Sequence, residues 1–143
     1  MSSDVPDTLH ASAVALDGRG LLILGASGSG KSALALEMIS RGATLIADDG
    51  VEVRLSADGH PLLSAPDAIA GRIEARGVGL LRLLDVSAPA TAVVTLDEVE
   101  TARLPALHET VIAGVTLPLL RKVESPTFPA MLLAYLKGQR TDP

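Results

Sequence analysis

The chain has 143 residues, 48% apolar and 20% charged, with 13 glycines, 9 prolines and a net charge of −5. This is the make-up of one globular domain, and it argues against a disordered segment and against non-specific affinity for nucleic acid or anionic membranes. The absence of cysteine excludes disulfides, thiolate metal sites and a cysteine nucleophile. Phe128 and Tyr135 are the only aromatic residues, so there is no stacking platform for single-stranded nucleic acid, and Leu, Val, Ile and Ala must fill the core. The longest uncharged stretch, Ser125 to Leu136, contains two prolines and is too short to cross a bilayer. Met1 to Asp7 lacks the basic start and apolar run of a signal peptide. The expectation is a single cytoplasmic domain over residues 1–143, with 1–8 disordered.

In chain order, Ser12 to Leu16 and Leu21 to Leu24 read as two strands around a glycine-containing turn cluster. Gly25 to Gly30 is a Gly/Ser loop, and Ser32 to Arg41 is built of helix formers, with Gly42 placed to end the helix. Thr44 to Ala47 is a further strand that runs into Asp48-Asp49-Gly50. Val51 to Leu55 and Pro61 to Ser64 flank Ser56-Ala57-Asp58-Gly59 as a second hairpin, and Pro66 opens a short helical turn over Ala65 to Gly71. Arg72 to Leu84 alternates charge with Gly and Leu. Thr91 to Leu96 is strand-like, and Val111 to Leu120 is a strand pair or a bent strand around Gly114 and Pro118. Pro126 to Lys137 is the last helix, stopped by Gly138; its apolar face suits the core better than an interface. The fold class expected is α/β, with a mixed sheet and more strand than helix.

The strongest signal is Gly25-Ala26-Ser27-Gly28-Ser29-Gly30-Lys31-Ser32, which satisfies GxxxxGK[ST] at every fixed position. A chain of this composition meets that pattern by chance about three times in a thousand. An apolar strand leads in and a helix leads out, as a phosphate-binding loop requires. Glycines let successive backbone N–H groups face phosphate oxygens, and the helix N-terminus favours negative charge. Lys31 reaches the β- and γ-phosphates, and the Ser32 hydroxyl is a Mg²⁺ ligand.

Two carboxylate pairs compete to complete the chemistry. Asp48-Asp49 follows the helix and the next strand, while Asp97-Glu98 ends Val93 to Leu96 in the manner of a Walker B strand. Adjacent residues on an extended backbone point to opposite sides, so one carboxylate can face the metal and the other a nucleophile. Spacing alone leaves the two pairs level.

Taken together, several segments resemble the catalytic domain of the HPr kinase/phosphorylase family. They are His10, the loop at 25–32, Arg41-Gly42, Ile46-Ala47-Asp48-Asp49, and Ile73-Glu74-Ala75-Arg76-Gly77-Val78-Gly79, which looks like the family's Glu-x-Arg-Gly-x-Gly signature. The resemblance implies a P-loop kinase fold of the phosphoenolpyruvate carboxykinase-like type and a protein serine kinase that uses ATP and Mg²⁺ on the phosphocarrier HPr. It implies Asp49 as the base, Lys31 on phosphates, Ser32 and Glu74 as metal ligands, His10 beside the phosphates, and Arg103 as a later catalytic arginine. It also implies a homo-oligomer, hexameric in the family. On this resemblance the chain is a shortened form without the family's N-terminal domain. The family's Pro-Gly-Arg-Asn stretch, tied to the reverse phosphorolysis, has no counterpart after Leu120, where the chain reads Arg121-Lys122-Val123-Glu124. The rival readings are a P-loop ATPase or GTPase using Asp97-Glu98, and a nucleotide or phosphate sensor with little catalysis.

Overall fold

The computed structural model describes residues 7–142. Of the segment expected to be disordered, residues 1–6 lie outside the described ones. Asp7 and Thr8 correct the remainder: they belong to strand β1 (Asp7–Leu9), paired with Val53 and Glu52.

Strands β2 (Ser12–Leu16) and β3 (Arg19–Leu24) form an antiparallel hairpin. Its turn is Asp17-Gly18, both at positive φ (52° and 77°), the two-residue geometry that matches the natural twist of paired strands. Helix α1 (Lys31–Ser40) follows the loop and ends where Gly42 and Ala43 donate their N–H groups to Ile39 and Met38, an arrangement that satisfies the last carbonyls. Strand β4 (Thr44–Ala47) then returns beside β2. Strands β5 (Val51–Leu55) and β6 (Pro61–Ser64) are the second expected hairpin, and Asp67–Ile69 is a single 3-10 turn. The charge-alternating stretch folds into strands β7 (Arg72–Ala75) and β8 (Gly79–Arg82), a separate two-stranded sheet.

Strand β9 (Ala88–Val99) is the spine of the molecule. It runs parallel to β3 on one edge, while β6 and then strand β11 (Val115–Lys122) share the other. Strand β10 (His108–Ile112) closes a hairpin with β11 through Ala113-Gly114, so the Val111–Leu120 segment is a strand pair. The main sheet has nine strands, with parallel pairs only around β9. It is therefore mixed and strand-rich, as the order of elements along the sequence suggests.

Side chains alternate across this sheet with period two. Leu21, Ile23 and Val94 face helices α1 and α2 (Phe128–Lys137), whereas Leu22 and Val93 face the other side, packed with Val53, Leu63 and Leu117. Alanines at 13, 15, 43, 47, 90 and 92 are buried among these branched residues, so elements approach closely without large rings. Helix α2 buries Phe128, Leu132, Leu133 and Leu136 in the core and leaves Met131 exposed. No helix among the described residues is long and apolar enough to cross a membrane.

Candidate active site

The site forms where β3 gives way to α1. Ser29 N–H closes a turn onto the Ala26 carbonyl, and Gly28 and Gly30 both take positive φ (81° and 102°), which bends the backbone around a hollow. At Gly25 a side chain would run into Ser29 and Leu96, so the loop's entry is closed to anything larger than hydrogen. The Lys31 ammonium is buried and donates to the loop's own carbonyls, Gly25 O at 2.7 Å and Ala26 O at 3.1 Å.

Two carboxylates arrive from the end of β4. Asp49 has φ 60°, a left-handed conformation that aspartate tolerates better than most residues. The reversal sends the two side chains apart: Asp48 is 5% exposed, whereas the Asp49 side chain is 74% exposed. Asp48 Oδ1 accepts hydrogen bonds from Ser12 and Ser32, each at 2.7 Å, and Glu74 N–H approaches its Oδ2 at 3.5 Å. Asp49 Oδ1 lies 3.4 Å from His10 Nδ1, and His10 Nε2 lies 3.3 Å from the Ser27 hydroxyl. His10 therefore bridges the outward carboxylate and the phosphate loop.

These groups surround a cavity of about 380 Å³, lined by His10, Ser12, Ser27, Gly28, Gly30, Lys31, Ser32, Asp49, Glu74 and Arg76, with Ala33 and Leu36 of α1. Lys31 and Arg76 share its lining with Asp49 and Glu74, as suits a polyphosphate carrying a divalent cation. The donor set fits Mg²⁺: a serine hydroxyl touching a buried carboxylate, with the Glu74 carboxylate lining the same hollow. Among the described residues no group of three His, Asp or Glu side chains is assembled to hold a metal unaided. A Mg²⁺ held here would take its remaining ligands from phosphate oxygens and water.

Arg103 is not brought here. It stands exposed between β9 and β10 and lines a second cavity of about 190 Å³, together with Phe128 and Tyr135. Glu100 at the edge of that cavity is held below the ordinary carboxylate range, chiefly by the Ala102 N–H. Asp97 also stays outside the larger cavity: its Oδ1 accepts the Ala26 N–H at 2.9 Å, which pins the outside of the phosphate loop. Glu98 points instead toward Arg121, at 3.6 Å. The sequence offers Asp48 only as one of a pair without saying which member turns inward, and it gives no site role to Ser12. Their signal is the pairing of a serine in a buried strand with an acid at the end of the neighbouring strand.

Three comparisons bear on this geometry. A family model described as the HPr Serine kinase C-terminal domain matches residues 5–95. The HPr kinase/phosphorylase of Brevibacillus brevis is 43% identical over 77 residues, covering 54% of this chain and 25% of the relative. That of Caldanaerobacter subterraneus subsp. tengcongensis is 47% identical over 74 residues, covering 52% and 24%. The matched part thus spans about a quarter of the length of these relatives. The solved HPr(Ser) kinase/phosphatase from Coxiella burnetii has the same fold, with a TM-score of 0.74 and 20% identity over 92% of this chain and 88% of that one.

Proposed function

The chain belongs to the HPr Serine kinase C-terminal domain family, and on that footing we propose that it is an ATP- and Mg²⁺-dependent kinase of a serine on an HPr-like phosphocarrier protein. The observation that carries this reading is the end of β4. It places one carboxylate on the Ser32 hydroxyl at 2.7 Å and turns the next one outward to the cavity. Phosphoryl transfer needs positioned phosphates, a metal and an oriented nucleophile, and little covalent chemistry besides.

Each need has a residue. The loop amides and Lys31 hold the β- and γ-phosphates; to do so Lys31 exchanges the Gly25 and Ala26 carbonyls for phosphate oxygens. Ser32, Asp48 and Glu74 are the oxygen donors that would hold Mg²⁺, whose charge offsets that of the phosphate oxygens. Asp49 is the base. It takes the proton of the seryl hydroxyl as that oxygen bonds to the γ-phosphorus, the bond from phosphorus to the bridging oxygen breaks, and ADP leaves. His10, between Asp49 and Ser27, keeps the carboxylate beside the loop. Arg76 adds positive charge at the cavity wall. Arg103 and the Asp97-Glu98 pair receive no support from their positions. The homologues' names couple the kinase to a phosphorylase, so transfer from phosphoserine to inorganic phosphate is a second arm of the same assay.

The test is incubation with ATP, Mg²⁺ and HPr, followed by mass spectrometry for phosphoserine. Modification that requires both ATP and Mg²⁺ supports the reading. Tight Mg²⁺–nucleotide binding without modification of HPr overturns it in favour of a sensor.

A further inference from the structure

The β7–β8 hairpin does one thing for the core and another for the surface. Its inner side buries Ile73 and packs Leu81 against the helix-covered face of the main sheet. Its outer side carries Arg72, Glu74, Leu80 and Arg82, with Arg72 directly opposite Arg82 and Glu74 directly opposite Leu80. Like charges directly opposite one another destabilise a strand pair. Among the described residues no carboxylate forms an ion pair with Arg72, Arg76 or Arg82. In a chain of net charge −5, a hairpin that carries three arginines outside any ion pair against one carboxylate, Glu74, is a local reversal of sign. Leu80 is 64% exposed on the same side, and Val78 in the turn is 76% exposed.

The hairpin also touches the cavity, since Glu74 and Arg76 line it. Leu80 is one strand away from Glu74, about 5 Å between Cβ atoms. The arginine pair lies two residues further along, about 7 Å. Asp49 lines the same cavity as Glu74 and Arg76, so a protein that presents a serine to it arrives beside this hairpin.

We propose that the outer face of β7 and β8 is the docking surface for the phosphoacceptor protein. Leu80 meets an apolar side chain, and the Arg72–Arg82 pair receives a carboxylate that flanks the acceptor serine. The inference rests on the kinase reading above and adds where, and by what chemistry, the acceptor is held. A second copy of this chain is a poor occupant, because a symmetric contact through the face would gather four arginines.

The experiment uses the full chain and HPr as the probe. Arg72→Gln/Arg82→Gln removes the like-charge pair, so its melting temperature should equal or exceed that of the parent. Its KM for HPr should rise about tenfold while its KM for ATP stays within about twofold, because rim charges govern encounter with a macromolecular partner. The parent's KM for HPr should climb with salt more steeply than the variant's. Leu80→Ser should raise the same KM, and Lys137→Gln, on the exposed end of α2, should not. An unchanged KM for HPr in both hairpin variants overturns the docking face and leaves the kinase reading standing. No transfer to HPr by the parent overturns the kinase reading, and the docking face with it. If the double variant fails to fold, Arg82→Gln alone is judged by the same criteria.

Discussion

Replacing Asp48 by alanine tests how far the site is built into the fold. The carboxylate is 5% exposed and one oxygen accepts two hydroxyls at 2.7 Å, from Ser12, which is fully buried, and from Ser32, which is partly exposed. A hydrogen bond to a charged group contributes about 1.5–3 kcal/mol, and a buried hydroxyl left without a partner forfeits the whole of it. In the alanine variant the fully buried Ser12 loses its side-chain acceptor, whereas Ser32 recovers water. Burying the carboxylate itself carries a cost that the variant no longer bears. The net loss is therefore about 2 kcal/mol rather than the sum of two full bonds, a large share of the about 5–15 kcal/mol that holds a domain together. At about 4 °C per kcal/mol for a chain of this length, the melting temperature should fall by about 8 °C. Circular dichroism without nucleotide reads this free of any effect on activity. Asp48→Asn keeps one acceptor oxygen and should lose about 1 kcal/mol. Adding Ser12→Ala to Asp48→Ala should cost little more, because the two residues share one interaction. A melting temperature within about 2 °C of the parent for Asp48→Ala would refute the reasoning.

Other outcomes follow from the same contacts. Gly25→Ala drives a methyl group into Ser29 and to 3.2 Å from the Leu96 Cβ, so it should cost about 1–3 kcal/mol of stability and weaken ATP binding by calorimetry. Asp97→Asn retains a carbonyl oxygen for the Ala26 N–H and should leave ATP affinity and turnover within about threefold; a hundredfold loss of turnover would instead make Asp97 the metal carboxylate. Burial pushes the Tyr135 phenol above its ordinary value, so the folded chain favours the neutral form. That contribution is complete below the unfolded phenol's pKa and is lost as pH rises through the folded one. The parent should therefore lose melting temperature above about pH 10 faster than Tyr135→Phe does.

Much of this molecule was readable from local chemistry. The hairpins at 12–24 and 51–64 announce themselves through glycine turns between short apolar runs, and α1 through its helix formers and Gly42. Where pattern and tertiary context diverge, the sequence was mute. β1 is three residues that qualify as a strand only because β5 lies beside them. The β7–β8 hairpin carries charge on its bare side, so its strand period is masked by arginines and glycines. In the site, the phosphate loop and the Asp48-Asp49 pair were legible, but two identical neighbours cannot declare which one turns inward. The left-handed backbone at Asp49 and the buried hydroxyl of Ser12 decide it. Arg103 rests on resemblance alone, beyond the residues that the family model matches, and the fold takes it to another cavity.

The central claim is that Asp49 takes the acceptor proton while the loop, Ser32 and Asp48 hold the nucleotide and its metal. Asp49→Asn separates the two duties in one measurement: phosphoserine formed on HPr, followed by mass spectrometry, beside ATP affinity in the same preparation. The account predicts that phosphotransfer disappears while Mg²⁺–ATP binds as tightly as to the parent. Phosphotransfer at the parent rate in Asp49→Asn would contradict it.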